Sequence, residues 1–216
     1  MKRALILGCS HAAGSEIECD DHFQLDQFQR YNSFASIIAR SVGYHPCNMA
    51  IPAGSNEAMF RLFYEHGKDF DLIVAAWTGS ERTEIYADGS GWLPMSHGVV
   101  IGYPEYDNYG KHWVSYETGA TPGHLRKIRC VLGLNSMAQH WRIPVINTNA
   151  FQAITDFDWP KNILWLPQQD FCIWCLSQGF ESTAMGHFLL DAHQSYAASQ
   201  LPDVKKYFAD ISKTAE

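Results

Sequence analysis

Four short apolar runs, separated by segments with helix-like spacing, constrain the fold of this chain more than any other feature. The runs are RALILG (3–8), CNMAI (47–51), DLIVAAW (71–77) and IPVINT (143–148), and NILWL (162–166) is a weaker fifth candidate. Each run is continuous rather than alternating, which is typical of parallel strands buried on both faces. Strands that alternate with helices predict a parallel sheet with right-handed crossovers, and therefore a three-layer α/β/α sandwich.

The segments between the apolar runs carry helix start and stop signals. We predict helices over 32–43, 55–67, 124–141 and 185–201. Asn and Ser residues stand where the first two would begin, and Gly43 and Gly67 stand where they would end,. With 216 residues and 46% hydrophobic content, the chain is most simply one domain, 1–216,.

One long segment, about 83–123, departs from this alternation. It contains many glycines and a set of aromatic residues: Tyr86, Trp92, Tyr103, Tyr106, Tyr109, Trp113 and Tyr116. Long irregular insertions in compact domains are often functional, and the aromatic content argues against disorder. We therefore predict an ordered insertion, with a small hairpin, that lies over the carboxyl end of the sheet and covers the site there.

Composition excludes several classes of partner and cofactor. The net charge is −7 without a cluster of Lys or Arg, which argues against nucleic-acid binding,. No apolar stretch approaches the roughly 20 residues that cross a bilayer, and the N-terminus lacks a signal-peptide pattern, so a cytoplasmic location is expected. The six cysteines are expected to be reduced, with Cys172 and Cys175 packed in the core,. No metal or cofactor is expected, and the sequence leaves the oligomeric state open.

Polar residues follow the predicted strands at their carboxyl ends, where ligands bind in open α/β sheets. Ser10 follows the first strand, Gly54 and Asn56 follow the second, and Ser80 follows the third. A serine at a strand-to-helix turn can present its hydroxyl and its own N–H group, which are two parts of an acyl-transfer site. A histidine from the end of the chain, His187 or His193, could then act as the base.

Three blocks carry a resemblance to a known family. GCSHAAG (8–14) resembles the first block of the SGNH (GDSL-type) hydrolases, with Cys9 where that family usually has Asp. NMAIPAGSN (48–56) resembles the second block, and GHFLLDAHQSYA (186–197) resembles the last, in which a second histidine follows the catalytic one by six residues. The resemblance is closest to small phage-type SGNH-like proteins, and it implies a flavodoxin-like parallel sheet in a three-layer sandwich.

The resemblance also implies roles for individual residues. Ser10 would be the nucleophile, His187 the base and Gly54 an oxyanion donor. The third block of the family carries an Asn that is missing from WTGSER (77–82), so the hydroxyl of Thr78 or Ser80, or the amide of Asn56, would help to hold the oxyanion.

The resemblance departs from the family in the last block, where the usual Asp three residues before the histidine is Ala184. The Nδ1 proton of His187 is therefore expected to go to a backbone carbonyl, with Glu181 the nearest upstream carboxylate,. His193 falls inside the predicted last helix, where a packing role is expected, and His11 is assigned a peripheral role.

The leading hypothesis is a serine esterase or deacylase that acts on a small or carbohydrate-linked ester, with no nucleic acid or membrane as partner. An alternative is a catalytically weak SGNH-like protein that binds a glycan or a protein partner. A third is a metal-dependent enzyme that uses His187, Asp191 and His193, although His187 and His193 are spaced to lie on opposite sides of a regular helix.

Overall fold

A parallel four-stranded sheet forms the centre of the molecule in the computed structural model, which describes residues 1–17, 25–96, 99–106, 120–166 and 170–214. The strands are β1 (Arg3–Gly8), β2 (His45–Asn48), β3 (Leu72–Trp77), β4 (Arg82–Ala87), β5 (Gly91–Ser96), β6 (Val99–Val100) and β7 (Val145–Asn149). The central sheet has the order β2-β1-β3-β7. Three of the four main apolar runs thus form strands of the parallel sheet that their continuous pattern predicts,. The second run, 47–51, overlaps β2 only at Cys47 and Asn48, because this strand begins earlier, at His45.

The fifth apolar run, 162–166, makes only an isolated bridge. Trp165 is paired in parallel with Asn147 of β7, and the N–H of Leu166 donates to the carbonyl of Asn147 at 2.8 Å. The run therefore extends the edge of the sheet without forming a full strand.

Helices cover both faces of the sheet. They are α1 (Ser10–Ala13), α2 (Gln27–Asn32), α3 (Phe34–Ser41), α4 (Asn56–His66), α5 (Ala120–Trp141), α6 (Phe171–Ser177) and α7 (Leu190–Thr214). Ser33 and Ser55 cap α3 and α4 through their side chains, so the predicted starts of these helices are confirmed. None of the helices in these described ranges is long and apolar enough to cross a membrane.

The residues of each central strand divide between two hydrophobic cores. Ile6 and Val74 face a core that contains Phe34 of α3, Phe171 of α6 and Tyr196 of α7. Leu5, Leu7, Ile73 and Trp77 face the opposite core, which contains Met59 and Phe63 of α4 and Val131 and Leu134 of α5. Burial on both faces explains why these strands are continuously apolar in sequence, and it completes the three-layer α/β/α sandwich.

The insertion predicted over 83–123 begins with a small antiparallel sheet, β4-β5-β6. Glu84 of β4 accepts hydrogen bonds from the Arg61 guanidinium of α4 at 3.0 and 2.9 Å. The same guanidinium lies 5.2 Å from the Trp92 ring centroid, so this sheet packs against α4 beside the sandwich. Residues 107–119, with Tyr109, Trp113 and Tyr116, lie outside the described residues, and the prediction that the insertion covers the site depends on them.

Candidate active site

The loop after β1 brings a serine and a carboxylate close together in the chain. Ser10 is the first residue of the one-turn helix α1 and is 4% exposed. The helix ends at Gly14, which has φ +84°, and a Cβ atom there would collide with the carbonyl of Gln29. Two residues later Glu16 adopts φ +64° and is also 4% exposed. Positive φ is uncommon for a residue with a side chain and concentrates at functional sites.

Glu16 is the partner of His187. The Nδ1 atom of His187 lies 2.7 Å from Oε2 of Glu16, and both side chains are buried. Thr183 joins the two residues, because its hydroxyl donates to the same Glu16 oxygen and accepts the backbone N–H of His187 at 3.1 Å. These contacts fix the orientation of the imidazole ring, as second partners of functional histidines commonly do.

His187 lies in the loop ahead of α7, as its sequence context predicts. The loop turns at Gly186, which has φ +81°, and Thr183 donates its N–H to the carbonyl of His187 at 2.8 Å. The imidazole of His187 lies 4.9 Å, centroid to centroid, from that of His11, the residue after Ser10. The structure therefore places His187 against the segment that carries Ser10 and Glu16.

His11 is buried beside this histidine rather than peripheral to it. Its Nε2 atom lies 3.0 Å from Sγ of Cys172. Burial, followed by the neighbouring His187 and Arg82, lowers the pKa of His11 well below its ordinary value. His11 is therefore neutral at physiological pH and brings no second positive charge to His187.

The Cys172 and Cys175 pair packs in the core, as expected. Both residues lie on α6, and both are free cysteines in the structure. Burial raises the pKa of the Cys172 thiol, and it raises the pKa of the Cys175 thiol to about 12. Thiols with raised pKa values are poor nucleophiles and poor metal ligands at neutral pH.

His193 has a structural role within α7. Its Nδ1 atom accepts the backbone N–H of Phe34 at 3.1 Å, and its ring stacks on that of Phe34. Its Nε2 atom has no hydrogen-bond partner among the described residues, which include Ser10. Burial lowers the pKa of His193 to about 3, so the ring stays neutral. Because its Nδ1 is used by Phe34 and that of His187 by Glu16, the arrangement does not favour a metal held by both histidines.

Gly54 differs from its predicted role. Its N–H donates to the carbonyl of Ile51 at 2.8 Å, so the group expected to hold an oxyanion is already used in a turn. A Cβ atom at this position would lie 2.7 Å from the same Ile51 carbonyl oxygen. Glycine is required here by the close approach of the backbone, because even an alanine side chain would collide.

Asn56 also differs from its prediction as a free amide donor. Its Oδ1 atom accepts the N–H of Thr78 at 3.0 Å, and its Nδ2 donates to the carbonyls of Thr78 and Gly79 at 3.3 Å each. Asn56 therefore holds the end of β3 against the start of α4. A motif gives the residue type at this position, but only the fold shows that its amide is occupied.

Ser80 lies at the predicted strand end, where the loop after β7 approaches it. Its N–H donates to Oε1 of Gln152 at 3.3 Å, and the Gln152 carbonyl accepts Nζ of Lys127 at 2.6 Å. Lys127 is 1% exposed, and burial lowers its pKa to about 7. Lys127 thus anchors the loop after β7 to α5, and the Gln152 side chain links that loop to the loop after β3.

Glu16 is a candidate site residue that the sequence alone did not predict. Glu181, the carboxylate considered instead, is exposed, and the Glu16 carboxylate lies at hydrogen-bond distance from Nδ1 of His187. The available signal was Glu16 itself, because it is the only acidic residue in the otherwise apolar and small segment 4–17. A carboxylate in a buried segment needs a partner, and its presence is therefore informative.

Comparison with known proteins shows similarity at the level of the fold. No protein-family model and no curated protein matches the sequence. A family two carbohydrate esterase from Clostridium thermocellum, solved in complex with cellohexaose, matches over 96% of this chain and 65% of its own, with TM-score 0.52 and 11% identity. A carbohydrate esterase family 2 enzyme from Corynascus thermopiles matches over 96% and 67%, with TM-score 0.50 and 10% identity. A chain described as a lipolytic protein of the G-D-S-L family from Desulfitobacterium hafniense matches over 80% and 79%, with TM-score 0.44 and 10% identity.

The sheet order and the two layers of helices define the class of fold. The parallel sheet of order β2-β1-β3-β7, covered by helices on both faces, is a three-layer α/β/α sandwich whose polar loops meet at the carboxyl ends of the strands,. Within that class, the chain has the fold of the SGNH (GDSL-type) hydrolases.

Proposed function

We propose that the protein is a serine ester hydrolase in which Ser10, His187 and Glu16 form the catalytic triad. One observation carries the proposal, namely the buried 2.7 Å contact between His187 Nδ1 and Glu16 Oε2 beside the helix that Ser10 begins. A serine, a histidine and a carboxylate that fixes the histidine recur in acyl-transfer enzymes of unrelated folds. The last block of the sequence has Ala184 in place of the usual carboxylate, and in this proposal Glu16 supplies the missing carboxylate.

In the proposed mechanism each of the three residues has a separate task. With Nδ1 of His187 held by Glu16, Nε2 is the nitrogen that takes the Ser10 hydroxyl proton as Oγ attacks the acyl carbon. The same nitrogen then returns the proton to the departing alcohol, and a water molecule repeats the sequence to release the acid from Ser10. Glu16 stays ionised and stabilises the imidazolium that forms between the two transfers.

We propose two donors to the oxyanion, one from the backbone and one from a side chain. The Ser10 N–H is the first of α1, and the first N–H groups of a helix have no carbonyl partner within it,. We propose the Ser10 N–H as the first donor to the oxyanion. Because the Gly54 N–H and the Asn56 amide are used elsewhere, we propose the Ser80 hydroxyl as the side-chain donor. Its replacement by alanine should lower kcat more than it raises KM.

We infer that the substrate is a small or carbohydrate-linked ester. The similar folds described as carbohydrate esterases support this class. The carboxyl ends of the central strands present the polar side chains that such a substrate needs.

Labelling with a fluorophosphonate probe tests the proposal directly, because the probe reacts with an activated serine. The native protein should be labelled at one serine, identified as Ser10 by peptide mass, and Ser10→Ala should abolish labelling and ester turnover. Ser177→Ala is the matched control, since this exposed serine donates to the Trp174 carbonyl and accepts from the Gln178 side chain, both on its own helix or at its end. If the folded native protein neither reacts with the probe nor hydrolyses small esters, the binding-protein alternative is favoured.

A further inference from the structure

A group of buried polar atoms without partners lies just after β3. Both carboxylate oxygens of Glu81, Nε and Nη1 of Arg82 and the hydroxyl of Thr78 lack a hydrogen-bond partner among the described residues. Thr78 is fully buried, and the side chains of Glu81 and Arg82 are 15% and 17% exposed. Nearly all buried polar groups in native proteins are paired, so a cluster of unpaired ones indicates a place for a polar ligand or ordered water.

The two charged side chains of this group are close without being bonded. Nε of Arg82 lies 3.6 Å from Oε1 of Glu81, which is an ion pair but is too long for a hydrogen bond,. The Glu81 carboxylate lies against the α-carbon of Gly79, where a Cβ atom would collide with it. The backbone therefore leaves room for the carboxylate at this position. An oxygen atom that lies beside the pair, rather than between its members, can be within hydrogen-bond distance of both charges.

The group lies at the same edge of the central sheet as the proposed catalytic residues. The positive charge of Arg82 contributes to the lowered pKa of His11, whose ring lies 4.9 Å from that of His187. The chain leaves β3 at Trp77 and enters β4 at Arg82. This group therefore lies at the carboxyl edge of the sheet, where Ser10 follows the neighbouring strand β1.

The chemistry of the unpaired atoms selects the kind of ligand. Arg82 offers only donors and Glu81, when ionised, offers only acceptors, whereas a hydroxyl group can accept from one and donate to the other. A carboxylate on Arg82 would meet the negative charge of Glu81, and an ammonium on Glu81 would meet the positive charge of Arg82. A neutral group with adjacent hydroxyls satisfies both partners, and the Thr78 hydroxyl can bond to it in either sense.

We propose that Thr78, Glu81 and Arg82 form a subsite that binds adjacent hydroxyl groups on the alcohol part of the ester. The subsite selects a polyhydroxylated alcohol, such as a sugar ring, over an apolar alcohol of the same size. This proposal rests on the proposed function, because it assigns part of the substrate to the same site.

A pair of substrates matched in size tests the selection. One is cyclohexyl acetate, and the other is a methyl hexopyranoside that carries one acetyl group and otherwise free hydroxyls. We expect the native protein to have a kcat/KM at least about tenfold higher for the acetylated hexoside, since hydrogen bonds to charged groups contribute at this level. The half-ester 4-nitrophenyl succinate, compared with 4-nitrophenyl acetate, tests whether a carboxylate is preferred instead.

Variants then assign the selection to these residues. Arg82→Gln and Glu81→Gln should each lower kcat/KM for the acetylated hexoside about tenfold or more and change that for cyclohexyl acetate less than about twofold. Glu84→Gln is the matched control, because this carboxylate lies on the same strand as Arg82 but is already paired with Arg61. It should preserve the preference of the native protein.

Binding of the unacetylated methyl hexopyranoside, measured by saturation-transfer NMR, separates this proposal from the proposed function. Binding that is lost in Arg82→Gln supports the subsite even if no ester is turned over. Ester turnover without a preference for the hexoside overturns the subsite and leaves the hydrolase in place. If the variants lose kcat/KM equally for cyclohexyl acetate and for the acetylated hexoside, the subsite is also overturned. A preference for the succinate half-ester that depends on Arg82 would overturn it as well.

Discussion

His187 and Glu16 are 171 residues apart in the sequence, yet their side chains meet at 2.7 Å in the interior of the protein. Glu16→Gln keeps the shape of the side chain but removes the charge that stabilises an imidazolium. We expect kcat on an aryl ester to fall by about two to four orders of magnitude, with little change in KM. Steady-state kinetics of the purified variant provide the measurement.

Glu181→Gln is the control for that experiment, because Glu181 is exposed and does not occupy the Nδ1 side of His187. It should retain the kcat of the native protein. A reversal of the two results, with Glu181→Gln inactive and Glu16→Gln active, would refute the triad.

The second prediction separates the roles of the two late histidines. His193→Ala leaves the buried N–H of Phe34 unpaired, and we expect a loss of about 1–3 kcal/mol in the free energy of unfolding. The folded variant should still react with a fluorophosphonate, whereas His187→Ala should not. Urea unfolding and probe labelling of both variants provide the measurements, and unlabelled but folded His193→Ala protein would contradict the assignment.

The lowered pKa of His193 adds a pH dependence to its structural role. The folded-state pKa is about 3 and the ordinary value is 6.5. Between these values the unfolded state binds more protons, so the stability contributed by the neutral ring is complete above pH 6.5 and is lost as the pH falls towards 3. His193→Asn keeps an acceptor for the Phe34 N–H but has no titrating ring. Its free energy of unfolding should therefore fall less than that of the native protein as the pH decreases from 6.5 towards 3,.

Lys127 provides a corresponding test of pH dependence, at neutral to alkaline pH. Its pKa is about 7 in the folded protein and 10.5 ordinarily. Between these values the unfolded state again binds more protons, so burial of Lys127 destabilises the fold most at pH 7 and below. The free energy of unfolding of the native protein, relative to Lys127→Met, should therefore rise by about 2 kcal/mol from pH 7 to pH 9. A difference independent of pH would show that Lys127 is charged in the folded state.

Substitution of Asn56 tests whether its amide has a structural role or holds the oxyanion. Asn56→Ala leaves the N–H of Thr78 without its acceptor, and we expect about 1–3 kcal/mol of destabilisation, with probe labelling retained at low temperature. Thermal unfolding and labelling of the same sample give the two readouts. Unchanged stability together with a large loss of kcat would restore Asn56 as an oxyanion donor.

The sequence predicts the sheet well because burial on both faces leaves a strong local pattern. Ala4 to Leu7 and Leu72 to Trp77 are apolar at every position, and no distant contact is needed to read them as strands. Ser10 and His187 were identified as candidates for a similar reason, since each lies at a recognisable boundary between a strand or loop and a helix.

The partners of the site residues could not be read in the same way. Glu16 reaches His187 only because the chain turns at Gly14 and adopts φ +64° at Glu16 itself. Gly54 and Asn56 have the residue types that a donor site needs, but neighbouring backbone groups already use their hydrogen-bonding capacity. Such occupancy depends on atomic geometry, which residue type and spacing do not specify.

The position of His187 just ahead of α7, far from Ser10 and Glu16 in the sequence, has a consequence for biosynthesis. The ribosome releases the β1 loop long before it releases α7, which packs on α3 through Tyr196 and Phe34. On the proposed mechanism, a nascent or C-terminally truncated chain holds an unactivated serine and cleaves no ester. Turnover would then begin only when the last layer has docked, so that activity itself reports the completion of folding.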